Sequence, residues 1–359
     1  MIAAVLALLL SAVPPQPGGT AVVFERAAKA LSAGDLAAAE QGFLSVLKSE
    51  PNSVPALGNL GVTYARMERY TDAIAVYRRG LKLIPDQPGL VLNLAIAYVK
   101  AGDYAKAKPL LLKLPPTTQT RELLATSELF TGNPAKALDL LDGLPATPEV
   151  LFVTGTAHLR LKHSAEAQVA FRQMFESTPA AQAHLLMGRA YADATLFDEA
   201  LTELKRAVEL DPSSMQARLD LAKIYISLRD NESAERELRR ISTPEAAYYL
   251  GAVLVQEDKN DEAIPILTRS ITTRPDAWGG YYYLGRAWLQ KQQFAKAVPL
   301  LEKASHLGPD EQAVWFQLAK AYQANGQPDK AKAARARHTA LAEKNRAKES
   351  GVIGYTQQQ

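Results

Sequence analysis

Three aromatic residues, Tyr248, Tyr282 and Phe316, stand 34 residues apart, and a base follows two of them four positions later, as Arg286 and Lys320. Residues four apart share a face of a helix, so each pair sets a cation beside an aromatic ring. Arg189 and Lys223 hold the place of the base in earlier stretches, and Ala252 interrupts the series. Such a ladder offers cationic and π surfaces to an anionic or extended peptide. The competing reading is a solvated helix face whose long side chains lie over their neighbours. No catalytic constellation accompanies the ladder. Of the five histidines, His158 and His163 alone are close in sequence, and they have no carboxylate in a ligand-like arrangement. There is no His-Glu-x-x-His run, glycine-rich phosphate loop, nucleophile elbow or paired-carboxylate motif. The absence of cysteine removes disulfides, thiolate metal sites and thiol nucleophiles. The sequence therefore implies no enzyme activity, no cofactor and no metal.

What positions the ladder is a unit written about ten times. Pro51 and Pro85 are 34 residues apart, as are Pro275 and Pro309, Tyr64 and Tyr98, Ala200 and Ala234, and Ala263, Ala297 and Ala331 in turn. A fixed period near 34 means stacked helical pairs, and such an array grows by addition rather than around one core. With 47% hydrophobic and 22% charged residues the chain is ordered, and a net charge of +3 is far from that of a nucleic-acid binder.

In the unit Val54–Gln87 the spacing of Leu57, Leu60, Gly61 and Tyr64 predicts a first helix, A, to about Met67. A turn at Glu68–Tyr70 leads to a second helix, B, from Thr71 to Leu83, stopped by Pro85. Gly61 and Ala73 are expected where the two helices cross, because a larger residue would force the backbones apart. This pattern resembles the tetratricopeptide repeat. Its small helix-A residue recurs as Ala27, Gly61, Ala95, Ala125, Gly155, Gly188, Ala222, Gly251, Gly285 and Ala319. Its tyrosine recurs as Tyr64, Tyr98, Tyr191, Tyr225 and Tyr322; Trp288 replaces it once, and Ala30, Glu128, His158 and Leu254 break the series. Its helix-B alanine recurs without exception, from Ala39 to Ala331.

The copies run near 20–53, 54–87, 88–117, 118–147, 148–180, 181–214, 215–243, 244–277, 278–311 and 312–345. Three are short, with second helices ending early before Pro115, Pro145 and Pro244. Pro109, Pro265 and Pro299 each follow the helix-B alanine by two residues and are expected in the first turn, where proline costs little. The solenoid is read as 19–345, its last copy a polar cap, with 346–359 a flexible tail.

The resemblance implies an all-α, right-handed superhelical solenoid whose concave wall is lined by the A helices. It also implies a non-catalytic scaffold holding a protein or peptide partner in that groove; the aromatic–base ladder adds a preference for anionic segments, and the small net charge argues against nucleic acid. Asn59 and Asn93 share the index at which the family's asparagine often hydrogen-bonds a ligand backbone. The family's clamp for a chaperone tail needs bases where this chain has Phe24, Ala28, Gln119 and Leu123, so that ligand is not expected. The expected partner-binding residues are Asn59, Asn93, Arg189, Lys223, Tyr248, Tyr282, Arg286, Phe316 and Lys320. A different reading is a targeting or regulatory subunit of an envelope assembly or enzyme complex, acting through the convex face.

The run from Met1 to Val13 is apolar and is followed by Pro14, Pro15 and Pro17. It is too short for a bilayer, which needs about 20 residues, so no integral membrane span is expected. It fits the apolar part of a secretory signal peptide, although no Lys or Arg precedes it. Residues 1–18 are therefore read as a signal peptide of a periplasmic or secreted bacterial protein, the alternative being an apolar tail on a cytoplasmic one. The sequence sets no oligomeric state.

Overall fold

The computed structural model describes residues 19–356, and side chains up to residue 347. The expected signal peptide lies outside the described residues. Everything described is helix and short connection, with twenty helices and no strand. The chain divides into two compact units, one ending at Ala194 and the other beginning at Thr195.

The N-terminal unit pairs α1 (Gly19–Ala33) with α2 (Leu36–Ser49), α3 (Val54–Arg66) with α4 (Tyr70–Leu83), and α5 (Pro88–Lys100) with α6 (Tyr104–Leu111). It continues with α7 (Thr118–Phe130) and α8 (Pro134–Leu141), α9 (Pro148–Arg160) and α10 (Ser164–Ser177), and α11 (Ala180–Asp193). The C-terminal unit holds α12 (Phe197–Leu210), α13 (Met215–Ser227), α14 (Asn231–Leu238), α15 (Pro244–Gln256) and α16 (Asn260–Thr273). It ends with α17 (Trp278–Gln290), α18 (Phe294–Leu307), α19 (Gln312–Ala324) and α20 (Pro328–Thr356). The final helix thus continues past residue 346, where the sequence placed the start of a tail. Within each unit, an A helix packs on the B helix of its own copy and on the A helix of the next copy wherever the unit contains them. The chain is an all-α repeat solenoid.

Each A–B turn is made the same way. Gly34, Glu68, Gly102, Gly132, Lys162, Thr195, Arg229, Asp258, Gln292 and Gly326 occupy one index, and all have φ between +58° and +92°. In the nine turns inside a unit the amide after this residue reaches back to helix A, as from Arg69 to the Tyr64 carbonyl at 2.9 Å and from Gln293 to that of Trp288 at 2.9 Å. This six-to-one closure satisfies a carbonyl that the helix end leaves open. Glycine takes that conformation without strain, whereas a β-branched residue does not. Thr195→Gly is accordingly expected to stabilise the protein by about 0.5–1 kcal/mol in urea titration; an unchanged or lowered midpoint would contradict this.

All ten helix-B alanines are 0% exposed, which fits their invariance in the sequence. The glycines of helix A, however, make room for a different partner. A β-carbon on Gly61 would lie 2.3 Å from the Tyr77 ring, and one on Gly155 2.3 Å from Phe171. On Gly251 and Gly285 it would meet Leu267 at 2.5 Å and Leu301 at 2.6 Å. The crossing therefore houses the large side chain four residues beyond the alanine, one helical turn on, rather than the alanine itself.

The three short copies have B helices of eight residues, α6, α8 and α14, where α4 has fourteen. The three prolines depart from expectation. Pro109, Pro265 and Pro299 are each the sixth residue of a helix, not in its first turn, because helix B begins three residues before its alanine. Each removes the donor for a carbonyl four residues back, at Ala105, Asp261 and Ala295. Those residues are exposed, so water can serve the carbonyls.

Glu128, which breaks the tyrosine series, is an inter-copy tie. Its side chain is 1% exposed and pairs with Lys108 of α6 at 2.7 Å and Lys136 of α8 at 2.8 Å. Asn133 Nδ2 also donates to it at 2.9 Å. Burial alone would raise the Glu128 pKa, but the hydrogen bonds and charges of the two lysines outweigh it and hold the carboxyl below its usual value. A depressed folded pKa means that the contribution is complete above the unfolded value, ~4.3, and is lost as pH falls through the folded one. Glu128→Gln should therefore lower stability by about 1–2 kcal/mol at neutral pH and flatten the acid limb of a urea-midpoint profile below pH ~5. An acid limb as steep as the wild type's would contradict the assignment.

Candidate functional site

The ladder residues lie on the A helices of the C-terminal unit, α13, α15, α17 and α19, except Arg189, which is half-buried on α11 of the other unit. Lys223 on α13 is clamped by Glu245 of α15 at 2.8 Å, with Asp220 at 3.9 Å, and sits 5.1 Å from the centre of the Tyr249 ring. Burial pulls its pKa down, but the bond to Glu245, with Tyr249 and Asp220, leaves it raised. Tyr248 stacks edge-on against Tyr249 at 5.0 Å and Tyr283 at 5.9 Å. Tyr282 meets Tyr283 at 4.9 Å and Trp278 at 5.9 Å. Arg286 lies 5.7 Å from the ring centres of both Tyr282 and Tyr283. Lys320 lies 5.6 Å from that of Phe316. Both i,i+4 pairs are thus in cation–π range. Burial pushes the Tyr248 and Tyr283 phenols up, so both remain neutral hydrogen-bond donors well above neutral pH.

Exposure separates these residues. Tyr282 is 8% exposed and packs with Val314 and Leu318 in the core, so it holds Arg286 rather than facing solvent. Tyr248 is covered by Gly279 at the start of the next A helix. Phe316 is 47% exposed, because α19 is the last A helix and no further copy covers it. Asn59 and Asn93, expected at the groove surface, are both 0% exposed. Their helices α3 and α5 are enclosed by neighbouring helices, and the Asn59 amide has no hydrogen-bond partner. As described, neither presents its amide to a ligand.

An open cleft of about 310 Å³ lies between α17 and α19, lined by Arg286, Leu289, Gln290, Phe294, Gln317 and Lys320. Its lining holds two cations and no carboxylate. Neither cation has a carboxylate partner among the described residues. Gln290 is positioned by bonds to the Val255 carbonyl at 3.2 Å and Asp258 at 2.8 Å. Tyr249, Tyr283, Gln290 and Gln317 were missed by the sequence reading. Tyr249 and Tyr283 are themselves 34 residues apart, so the period carries their signal at the index next to that of Tyr248 and Tyr282.

His158 and His163 have ring centres 5.7 Å apart, and burial pushes the His158 pKa down. Among the described residues no group of three His, Asp or Glu side chains could hold a metal ion, and no helix is long and apolar enough to cross a membrane.

Two sequence models described as tetratricopeptide repeat match the chain. One covers residues 65–128, 191–253 and 289–348, more than half of its length, and the other covers 24–88 and 248–312. No curated protein sequence matches it. Among solved structures it is similar to MamA, residues 41 to the end, from Desulfovibrio magneticus RS-1, at 20% identity and a TM-score of 0.43, over 46% of this chain and 97% of that one. It is also similar to a MamA crystal structure at 24% identity and a TM-score of 0.40, over 45% of this chain and 97% of that one.

Proposed function

Because the chain belongs to the tetratricopeptide repeat family, we propose that it is a non-catalytic scaffold that holds a peptide or protein partner along the A helices of its C-terminal unit. The repeats support a protein-interaction role in general. The observation that carries the finer reading is the α17–α19 cleft, where Arg286 and Lys320 stand without carboxylate partners, Arg286 against Tyr282 and Tyr283 and Lys320 against the exposed Phe316 ring. Unpaired cations next to an aromatic surface favour an extended segment bearing carboxylates. Lys223 is already neutralised by Glu245, so it contributes less than its index in the ladder suggests.

The test is cross-linked capture of partners by the full chain at low and high salt, followed by direct titration of the recovered partner. Affinity should fall as salt rises, since exposed charges are screened beyond ~8–10 Å at physiological ionic strength. A partner whose affinity ignores salt would count against an anionic ligand in this cleft.

Export through residues 1–18 belongs to the same proposal. N-terminal sequencing from the native host is expected to find the chain starting after that segment. Recovery of Met1 in cytosolic protein would overturn it.

A further inference from the structure

A second pocket in the C-terminal unit is separate from the α17–α19 cleft. It is formed by α15, the end of α16 and the first turn of α17, and its volume is about 370 Å³. That volume suits a small molecule. Tyr248, Tyr249 and Trp278 give it aromatic walls. We propose that it binds a small organic oxyanion, a carboxylate or phosphate ester carried on a flat apolar body.

Three features converge on the oxyanion. The first is the start of α17, where Ala277 precedes the helix without a side-chain cap and Gly279 and Gly280 line the pocket. The first amides of a helix have no acceptor within it, and its dipole favours negative charge there. The second is Ser270, which is 4% exposed and lines the pocket. Its hydroxyl lies 3.8 Å from where a β-carbon on Gly280 would be. Thr268 and Thr272 on the same helix each donate to the carbonyl four residues back, at 2.7 and 3.0 Å, whereas the Ser270 hydroxyl makes no hydrogen bond among the described residues. The residue is enclosed and lines the pocket, so its hydroxyl is held in place and is free to donate to a ligand oxygen at the α17 start. The third is Arg274, exposed at the end of α16, which lines the pocket and has no carboxylate partner among the described residues. Glu245 also lines the pocket, but its charge is held by Lys223 at 2.8 Å.

The closeness of Gly279 to Tyr248 fits this use. A β-carbon there would fall 2.8 Å from the Tyr248 hydroxyl, so glycine lets the ring lie along the helix start. The apolar body of the ligand would rest on Tyr248, Tyr249 and Trp278, and its oxyanion would face Ser270, Arg274 and the helix amides.

The test titrates the full chain with benzoate, phenyl phosphate and the neutral benzamide, read by calorimetry. At least one anion should bind in the millimolar range or tighter, about tenfold or more better than benzamide. Preference between the two anions tells a carboxylate from a phosphate ester. Arg274→Glu should weaken the anion about tenfold or more, and Ser270→Ala roughly three- to tenfold, with melting unchanged in both. Arg286→Ala with Lys320→Ala should leave this binding intact. Neither anion binding at about 10 mM, or benzamide binding equally well, would overturn the proposal. So would affinity unmoved by Arg274→Glu; if it moved instead with Arg286 and Lys320, the anion would belong to the groove and that reading would stand.

Discussion

Replacement of Tyr77 by alanine is expected to destabilise the N-terminal unit by about 3–5 kcal/mol. Tyr77 is 0% exposed and is the largest fully buried side chain in the described chain. It fills the hollow left by Gly61, whose missing β-carbon would stand 2.3 Å from its ring, so truncation leaves a void between α3 and α4. The reverse error, Gly61→Ala, should cost about 1–3 kcal/mol by overpacking. Tyr77→Phe separates ring from hydroxyl. The hydroxyl is buried without a hydrogen-bond partner, and its removal should be neutral or stabilising by up to about 1–2 kcal/mol. Because each copy touches its neighbours alone, hydrogen exchange in Tyr77→Ala should rise first in α3, α4 and α5. Loss of protection spread evenly over the chain would contradict the modular account. So would a Tyr77→Phe variant as damaged as Tyr77→Ala.

The second large effect is on binding. Arg286→Ala with Lys320→Ala should weaken a groove partner by about 1–3 kcal/mol and flatten the salt dependence of its affinity. Both side chains end in an open cleft, so the melting curve should not move. Tyr282, although central to the ladder in sequence, is a poor probe. It is 8% exposed in the core, and its truncation would mix lost packing with lost binding. Unchanged affinity and salt dependence in the double variant would place the partner on the convex face, or elsewhere on the chain.

The sequence alone determined the family, the number of copies, the helix pairs and the three short units. These rest on local signals, which need no knowledge of neighbouring copies. The alanines fix the register of helix B, one turn before the side chain that fills the crossing, and the prolines that close the copies mark where helix B stops. The turn index carries a left-handed backbone in every copy, whether the residue is Gly34 or Thr195. What only the tertiary structure decided is which repeated positions remain open to a partner. Asn59, Asn93 and Tyr282 have groove indices but are buried, because each A helix lies against the next one. Phe316 has the same index as Tyr282 and is exposed, because no A helix follows it. Glu128 reads as a break in a motif until two lysines from different B helices are found on its carboxylate. Arg274 stands at an index that also holds Glu50, Ile84, Asp211 and Gly308, so the repeat frame gave it no meaning. Its role depends on the end of one helix, the start of the next and a third beside them, and that meeting is fixed by packing rather than by period.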